Sequence, residues 1–183
     1  MRDDLLMSDN LRQLIPAFML WVLLPVWFVA GIADYLLHRR TQIERTSGWG
    51  ESRLHVLQAF EIAVPLLAGL FLEINGLIVA IMIVFIVAHT FTALWDASYT
   101  APLRYISPLE QHVHSHLEYV PLVAVALVTL LYWSSLGSFE LRLKTQPLPS
   151  ATILTVLIPI FLVQGILLTE EALRSVGVGT RRS

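Results

Sequence analysis

Five stretches of the chain stay apolar for about as long as a helix needs to cross a bilayer, and this limits the fold more than any other feature. A hydrocarbon core about 30 Å thick takes about 20 mainly apolar residues in a helix. The stretches are Leu14–Leu37, Leu54–Leu72, Leu77–Trp95, Leu117–Trp133 and Ala151–Leu168. In lipid every backbone polar group must be satisfied within the protein, so such segments are helices rather than loops or open sheet. The expected fold is all-α: an integral membrane helical bundle of about five transmembrane helices, forming one transmembrane domain over residues 1–183. Charge content agrees, with 14 % charged residues against roughly 25 % in a soluble domain.

The connections are short. Glu73–Ile74–Asn75–Gly76–Leu77 is the tightest and reads as a helical hairpin. Leu136–Ser150 is the longest linker outside the loop after the first span. The absence of cysteine removes disulfides, thiolate zinc sites, iron–sulfur clusters and a catalytic thiol. A net charge of −2 with scattered basic residues argues against nucleic acid as a partner. The chain opens on the acidic segment MRDDLLMSDN rather than a basic one, so the first span is expected to be retained rather than cleaved.

Five spans place the termini on opposite sides. Arg2, Arg12, Arg142 and Lys144 then share one side, and Arg39, Arg40, Arg45, Arg53, Arg104, Arg174, Arg181 and Arg182 the other. The positive-inside rule makes the second side cytoplasmic, with the N-terminus outside and the C-terminus inside.

The ionisable residues of the spans gather on that cytoplasmic side. Asp34 and His38 end span one, Glu51 and His55 open span two, His89 and Asp96 end span three, and Glu110, His112, His114, His116 and Glu118 open span four. Residues four apart share a helix face, which makes Asp34/His38, Glu51/His55 and Glu110/His114 three acid–histidine pairs. His89 and Asp96, seven apart, are displaced by only about 20°. Four helices thus offer one imidazole and one carboxylate each. Span five has no histidine, only Glu170 and Glu171 at its end, and reads as a packing helix.

Glu61 and Glu118 lie deeper on their helices, where an isolated carboxylate costs several kcal/mol unless protonated, paired or metal-bound. Imidazole and carboxylate together suit iron, zinc or manganese. Six histidines and at least six carboxylates are more than one ion uses, so two metal ions are expected, in the manner of bundle-core di-iron sites.

Simpler roles stand beside this one. Ser107–Pro108–Leu109–Glu110 has the form of a capping box, so Glu110 is a cap, a ligand or both. Glu51 also suits the first turn of a helix, and Asp34 could pair with Arg39 or Arg104. His112 and His116 face away from Glu110 and His114, which makes them weaker ligand candidates. The tryptophans and Met19 and Met82 read as packing and interfacial residues.

The arrangement resembles the histidine-rich, membrane-embedded di-iron oxidoreductases of the fatty acid desaturase and hydroxylase superfamily, in paired histidines at helix ends on one membrane face. The likeness runs from Asp34 to Glu118. Acid-x-x-x-His stands here in place of His-x-x-x-His, and His112–Val113–His114–Ser115–His116 is the nearest approach to a histidine box. The resemblance implies an oxidoreductase acting on a membrane lipid or lipid-like substrate with an electron donor, with two metal ions, iron favoured over zinc or manganese. The string Glu110–Gln111–His112–Val113–His114–Ser115 also resembles one in small bacterial integral membrane proteins, which implies a bacterial inner membrane. A non-enzymatic zinc or metal-handling site, a zinc hydrolase, and bis-histidine haem held by His89 with His55 or His114 are the alternatives.

Overall fold

The computed structural model describes residues 2–179, with side chains from 10 to 178. Arg181, Arg182 and the side chain of Arg2, which entered the charge count, lie outside the described residues. Among the described residues the chain forms α1 (Arg2–Phe18), α2 (Leu24–Thr41), α3 (Trp49–Phe71), α4 (Gly76–Thr100), α5 (Pro108–Leu131), α6 (Ser150–Ile160) and α7 (Leu168–Gly179). Two π-helical segments, Met19–Leu23 and Phe161–Leu167, join α1 to α2 and α6 to α7 into continuous rods. The fold is thus all-α, with five long apolar helices: Asn10–Thr41, Trp49–Phe71, Gly76–Thr100, Pro108–Leu131 and Ser150–Val178.

Each π segment has a local reason. Pro25 lacks an N–H, and just before it the backbone bonds one residue further back than usual, from Leu24 N–H to Met19 O. In the last rod the wide turn follows Pro159, contains Gly165 and closes with Leu168 N–H on Val163 O. There Gly31 of α2 meets the rod so closely that an added Cβ would sit 2.6 Å from Val163 Cγ1.

The helices run beyond the apolar stretches, mostly at one end of the bundle. The first rod reaches Thr41, α3 starts at Trp49, α4 continues to Thr100, α5 starts at Pro108 and the last rod continues past Leu168. These polar extensions carry His38, Glu51, Asp96, Glu110 and His114, with Asp34 and His55 just inside the apolar stretches. The opposite end is apolar, with Ala68, Ile74, Ile78, Val79 and Met82 buried together against Val125, Val128 and Tyr132 of the α5 end.

The linker 136–150 is not loose. It returns across the α3–α4 hairpin through an isolated bridge between Leu72 and Leu143, with Glu73 N–H on Arg142 O at 2.9 Å and Lys144 N–H on Phe71 O at 2.9 Å. Asn75 joins cap and strap: its Oδ1 accepts from Leu77 and Ile78 N–H at 3.0 and 3.3 Å, and its Nδ2 donates to Glu140 O at 2.7 Å. Gly76 N–H bonds Ser138 O at 2.9 Å, an approach that leaves 2.2 Å between an added Cβ and the Leu136 carbonyl oxygen.

Two outcomes are expected. Asn75→Ala should destabilise the protein by about 1 kcal/mol, the usual loss of an N-cap, and Gly76→Ala by more, both read by thermal unfolding in detergent. Hydrogen bonds from the Thr145 N–H and hydroxyl hold the Glu73 carboxyl below its usual pKa. The strap therefore keeps this stabilisation above the ordinary glutamate range and loses it as pH falls through the lowered value. Amide exchange at Thr145 should accelerate on acidification, and Glu73→Gln should remove that pH dependence.

Candidate metal centre

Five helix ends and one loop meet in the cluster around His38, whose ring is fully buried. The α2 pair is formed, with Asp34 Oδ1 3.4 Å from His38 Nε2. From α5, His114 Nε2 lies 2.8 Å from the same Asp34 oxygen, and Glu110, fully buried, brings Oε1 to 3.6 Å from His38 Nε2. From α3, Glu51 Oε1 stands 4.0 Å from His38 Nε2 and 3.9 Å from His55 Nε2. From α4, Asp96 Oδ2 lies 3.2 Å from His55 Nε2.

The fifth rod, expected only to pack, supplies the carboxylate that orients the centre. Glu171 is 3 % exposed, with Oε2 2.9 Å from His38 Nδ1 and Oε1 2.7 Å from His55 Nδ1. A carboxylate accepts from both rings when each carries its proton on Nδ1, which leaves each Nε2 with a free lone pair. The two imidazoles stack in consequence, centroids 4.8 Å apart and planes 6° from parallel, with His114 edge-on to His38 at 5.8 Å. Polar contacts zip α7 into place: Tyr35 and Arg39 reach Glu170 at 2.9 and 2.6 Å, Ser52 and Ser175 share a hydrogen bond of 2.7 Å, and Arg174 pairs with Glu44.

Arg104, in the loop between α4 and α5, is the other residue whose position the spacing did not reveal. It leaves Asp34 to His114 and binds Glu51 and Glu110 instead. Its guanidinium donates to Glu51 at 2.5 and 3.1 Å and lies 2.6 Å from Glu110 Oε1. Burial alone would lower its pKa, but the hydrogen bonds to the two carboxylates outweigh this and push it up. Arg39, the other partner considered for Asp34, is spent on Glu170. Glu51 also accepts from Ser47 Oγ. The cap at Ser107 is present, its Oγ accepting Glu110 N–H at 3.2 Å; the Glu110 carboxylate turns to Arg104 and His38 rather than back to the cap.

Two groups of potential ligand atoms lie within 4.8 Å of one another: Asp34, His38 and His114, and His38, Glu51 and His55. Several atoms here are buried without a hydrogen-bond partner among the described residues: His38 Nε2, Asp96 Oδ1 and Glu110 Oε2. Such atoms normally find partners in a folded protein, and a cation would satisfy these. The charge balance points the same way. Asp34, Glu51, Asp96, Glu110 and Glu171 face one guanidinium, so with neutral imidazoles four positive charges are wanting, the charge of two divalent ions.

Other expected residues stand apart. Glu61 and His89 form a deeper pair, Oε2 to Nδ1 3.7 Å, with Thr92 Oγ1 donating to Glu61 Oε1 at 2.8 Å. Glu118 is half-buried and its carboxylate takes part in none of these contacts. His112 is exposed and bonded through its carbonyl to His116 Nδ1 at 2.8 Å, so this pair closes on itself.

The fold and the site together define an all-helical, multi-span membrane protein with buried His/Glu/Asp clusters of the metal-binding kind. No family model, curated protein or solved structure matches the chain.

Arg104→Gln should lower the stability of metal-free protein by about 3–5 kcal/mol, because it strands two buried carboxylates. Chemical unfolding in detergent after exhaustive chelation reads the loss.

Proposed function

We propose that this chain is a membrane-embedded di-metal protein, with iron the favoured metal, acting as an oxidoreductase on a lipid-like substrate. The observation that carries the reading is the pair of hydrogen bonds that Glu171 accepts from His38 and His55, which leaves both Nε2 atoms turned toward carboxylates of the cluster. His38 belongs to both ligand groups but has one free nitrogen, so it serves one ion. His38, His114 and Asp34 would hold that ion, with Glu110 beside them, and His55, Glu51 and Asp96 the other. A mixed nitrogen and oxygen donor set of this kind suits iron, manganese or zinc.

A bound iron pair supplies dioxygen activation; hydroxylation of a C–H bond then consumes one dioxygen, two electrons from an external donor and two protons, giving an alcohol and one water. The chain's own residues fix the imidazoles through Glu171, hold Glu51 and Glu110 through Arg104, and keep water out through the apolar rods. The favoured orientation puts this centre at the cytoplasmic face of a bacterial inner membrane, within reach of a soluble or membrane-bound electron donor. An apolar-lined crevice bordered by Asp34, His55 and Glu171 supports a lipid-like substrate.

A structural zinc site is the second reading, favoured by Arg104, which already occupies oxygens of Glu51 and Glu110 and so reduces the room for an open coordination position. Metal analysis with an optical spectrum separates the two. About two iron ions per chain and an absorbance change with dioxygen support the oxidoreductase. Zinc alone, with no optical response, supports the structural site. No metal, with stability indifferent to chelator, overturns both. Glu171→Gln should weaken metal binding about 10–100-fold, as loss of an orienting partner does, while far-ultraviolet circular dichroism keeps its helical signal.

A further inference from the structure

The buried pair Glu61–His89 lies outside the proposed metal centre and is used by nothing described so far. Glu61 and His89 are each 5 % exposed, and Glu61 Oε2 and His89 Nδ1 are both without a hydrogen-bond partner among the described residues. Glu61 is ten residues from Glu51 on α3, about 15 Å deeper at the helical rise. A carboxylate and an imidazole at that depth, both incompletely bonded, cost several kcal/mol that packing alone does not return.

His89 lines the crevice that also touches the metal centre, a hollow of about 100 Å³. Its walls are largely apolar, among them Trp27, Ile62 and Val163, and its polar side chains include Gln58 and Gln164. No lysine or arginine lines it, whereas Asp34 and Glu171 do. In the metal-free protein an anionic head group, phosphate or carboxylate, would meet negative charge there with no basic side chain to receive it. A neutral oxygen suits it: a hydroxyl or carbonyl accepts from an imidazole N–H, and a hydroxyl also donates to a carboxylate.

The way in is lateral. A second hollow, about 320 Å³, lies on the seam of α3 and α7 and shares Ala59, Gln164 and Leu168 with the crevice. Its rim includes Trp49, Val56, Leu173 and Val176, apolar side chains all exposed on the outer surface of the bundle. The shared residues make the seam continuous with the hollow at His89, so an apolar tail can lie along it while the head reaches the imidazole.

We infer that the crevice binds a neutral, tail-bearing lipid through a single hydroxyl or carbonyl head, received by His89 with Glu61 behind it and admitted along the α3–α7 seam. This deepens the oxidoreductase reading by naming its substrate class, and rests on that reading only for the reaction, not for the binding. A long-chain alcohol and a tailed quinone share this chemistry.

Tryptophan fluorescence tests it in detergent, on protein as purified and after metal removal. The probes are a brominated long-chain alcohol, the brominated carboxylic acid of equal length at alkaline pH, and a decyl-tailed benzoquinone; Trp27→Phe identifies the signal from the crevice. Saturable quenching of Trp27 by the alcohol or the quinone is expected, the tighter of the two naming the source, with the acid at least tenfold weaker. His89→Phe and Glu61→Gln should each weaken binding about tenfold, the size of one buried hydrogen bond, and Ile62→Trp should fill the crevice and abolish it. Glu61→Gln, nearly isosteric, keeps the test alive if His89→Phe does not fold. Quenching that does not saturate, an acid that binds as tightly as the alcohol, or binding indifferent to Glu61→Gln and Ile62→Trp overturns the inference. Saturable binding in protein that carries no metal as purified and whose stability is indifferent to chelator overturns the di-metal reading and leaves this one standing; a metal pair without saturable binding does the reverse.

Discussion

Five carboxylates gathered around three imidazoles and one guanidinium, at the end of a bundle of apolar helices, are the constraint on which the rest of the structure depends. Charge of one sign cannot be left uncompensated away from water, since each such group loses hydration worth several kcal/mol. The chain answers with Arg104 between Glu51 and Glu110, with three imidazoles set among the carboxylates, and with Glu171 divided between two of those imidazoles. With those imidazoles neutral, the remaining deficit is four charges, the size that two divalent cations supply.

The polar end and the apolar end of the bundle do different work. At the apolar end Ile78, Val79 and Met82 pack against the α5 end, and the strap carrying Lys144 and Thr145 ties down the α3–α4 turn. That end holds the helices at fixed spacing. At the polar end each helix runs on past its lipid-crossing stretch, and the extra turns bring charged side chains together where lipid no longer forbids them. Ion pairs from α7 to α2 and to the loop after it, through Glu170 and Arg174, hold the last rod against the cluster, so Glu171 arrives with little freedom.

The spans and the acid–histidine spacing were legible because they are properties of one helix at a time. Asp34 with His38 and Glu51 with His55 are formed as the four-residue spacing predicts, and Ser107 caps α5 as its local pattern predicts. The hairpin at Glu73–Leu77 was legible for the same reason. Glu110 and His114 share a stripe, yet they serve different partners, His38 and Arg104 for one and Asp34 for the other. Glu171 was missed because a lone acid at a helix end has no spacing signature; its partners are 116 and 133 residues away in the chain. The one signal for it was direction, since an odd span ending at the histidine side brings Glu170 and Glu171 to the same layer.

The sequence by itself determined that this chain is a five-helix membrane bundle and that its imidazoles and carboxylates collect at one end. Apolar length and helical period are local quantities, read without knowledge of any neighbour. Only the tertiary structure decided which of those groups meet. It separated Glu61 and His89 from the centre, set His112 and His116 outside it, and brought Arg104 and Glu171 in. Those outcomes depend on the rotation and depth of each helix against the others, which are fixed by packing such as Gly31 on Val163 and by ion pairs between residues distant in the chain.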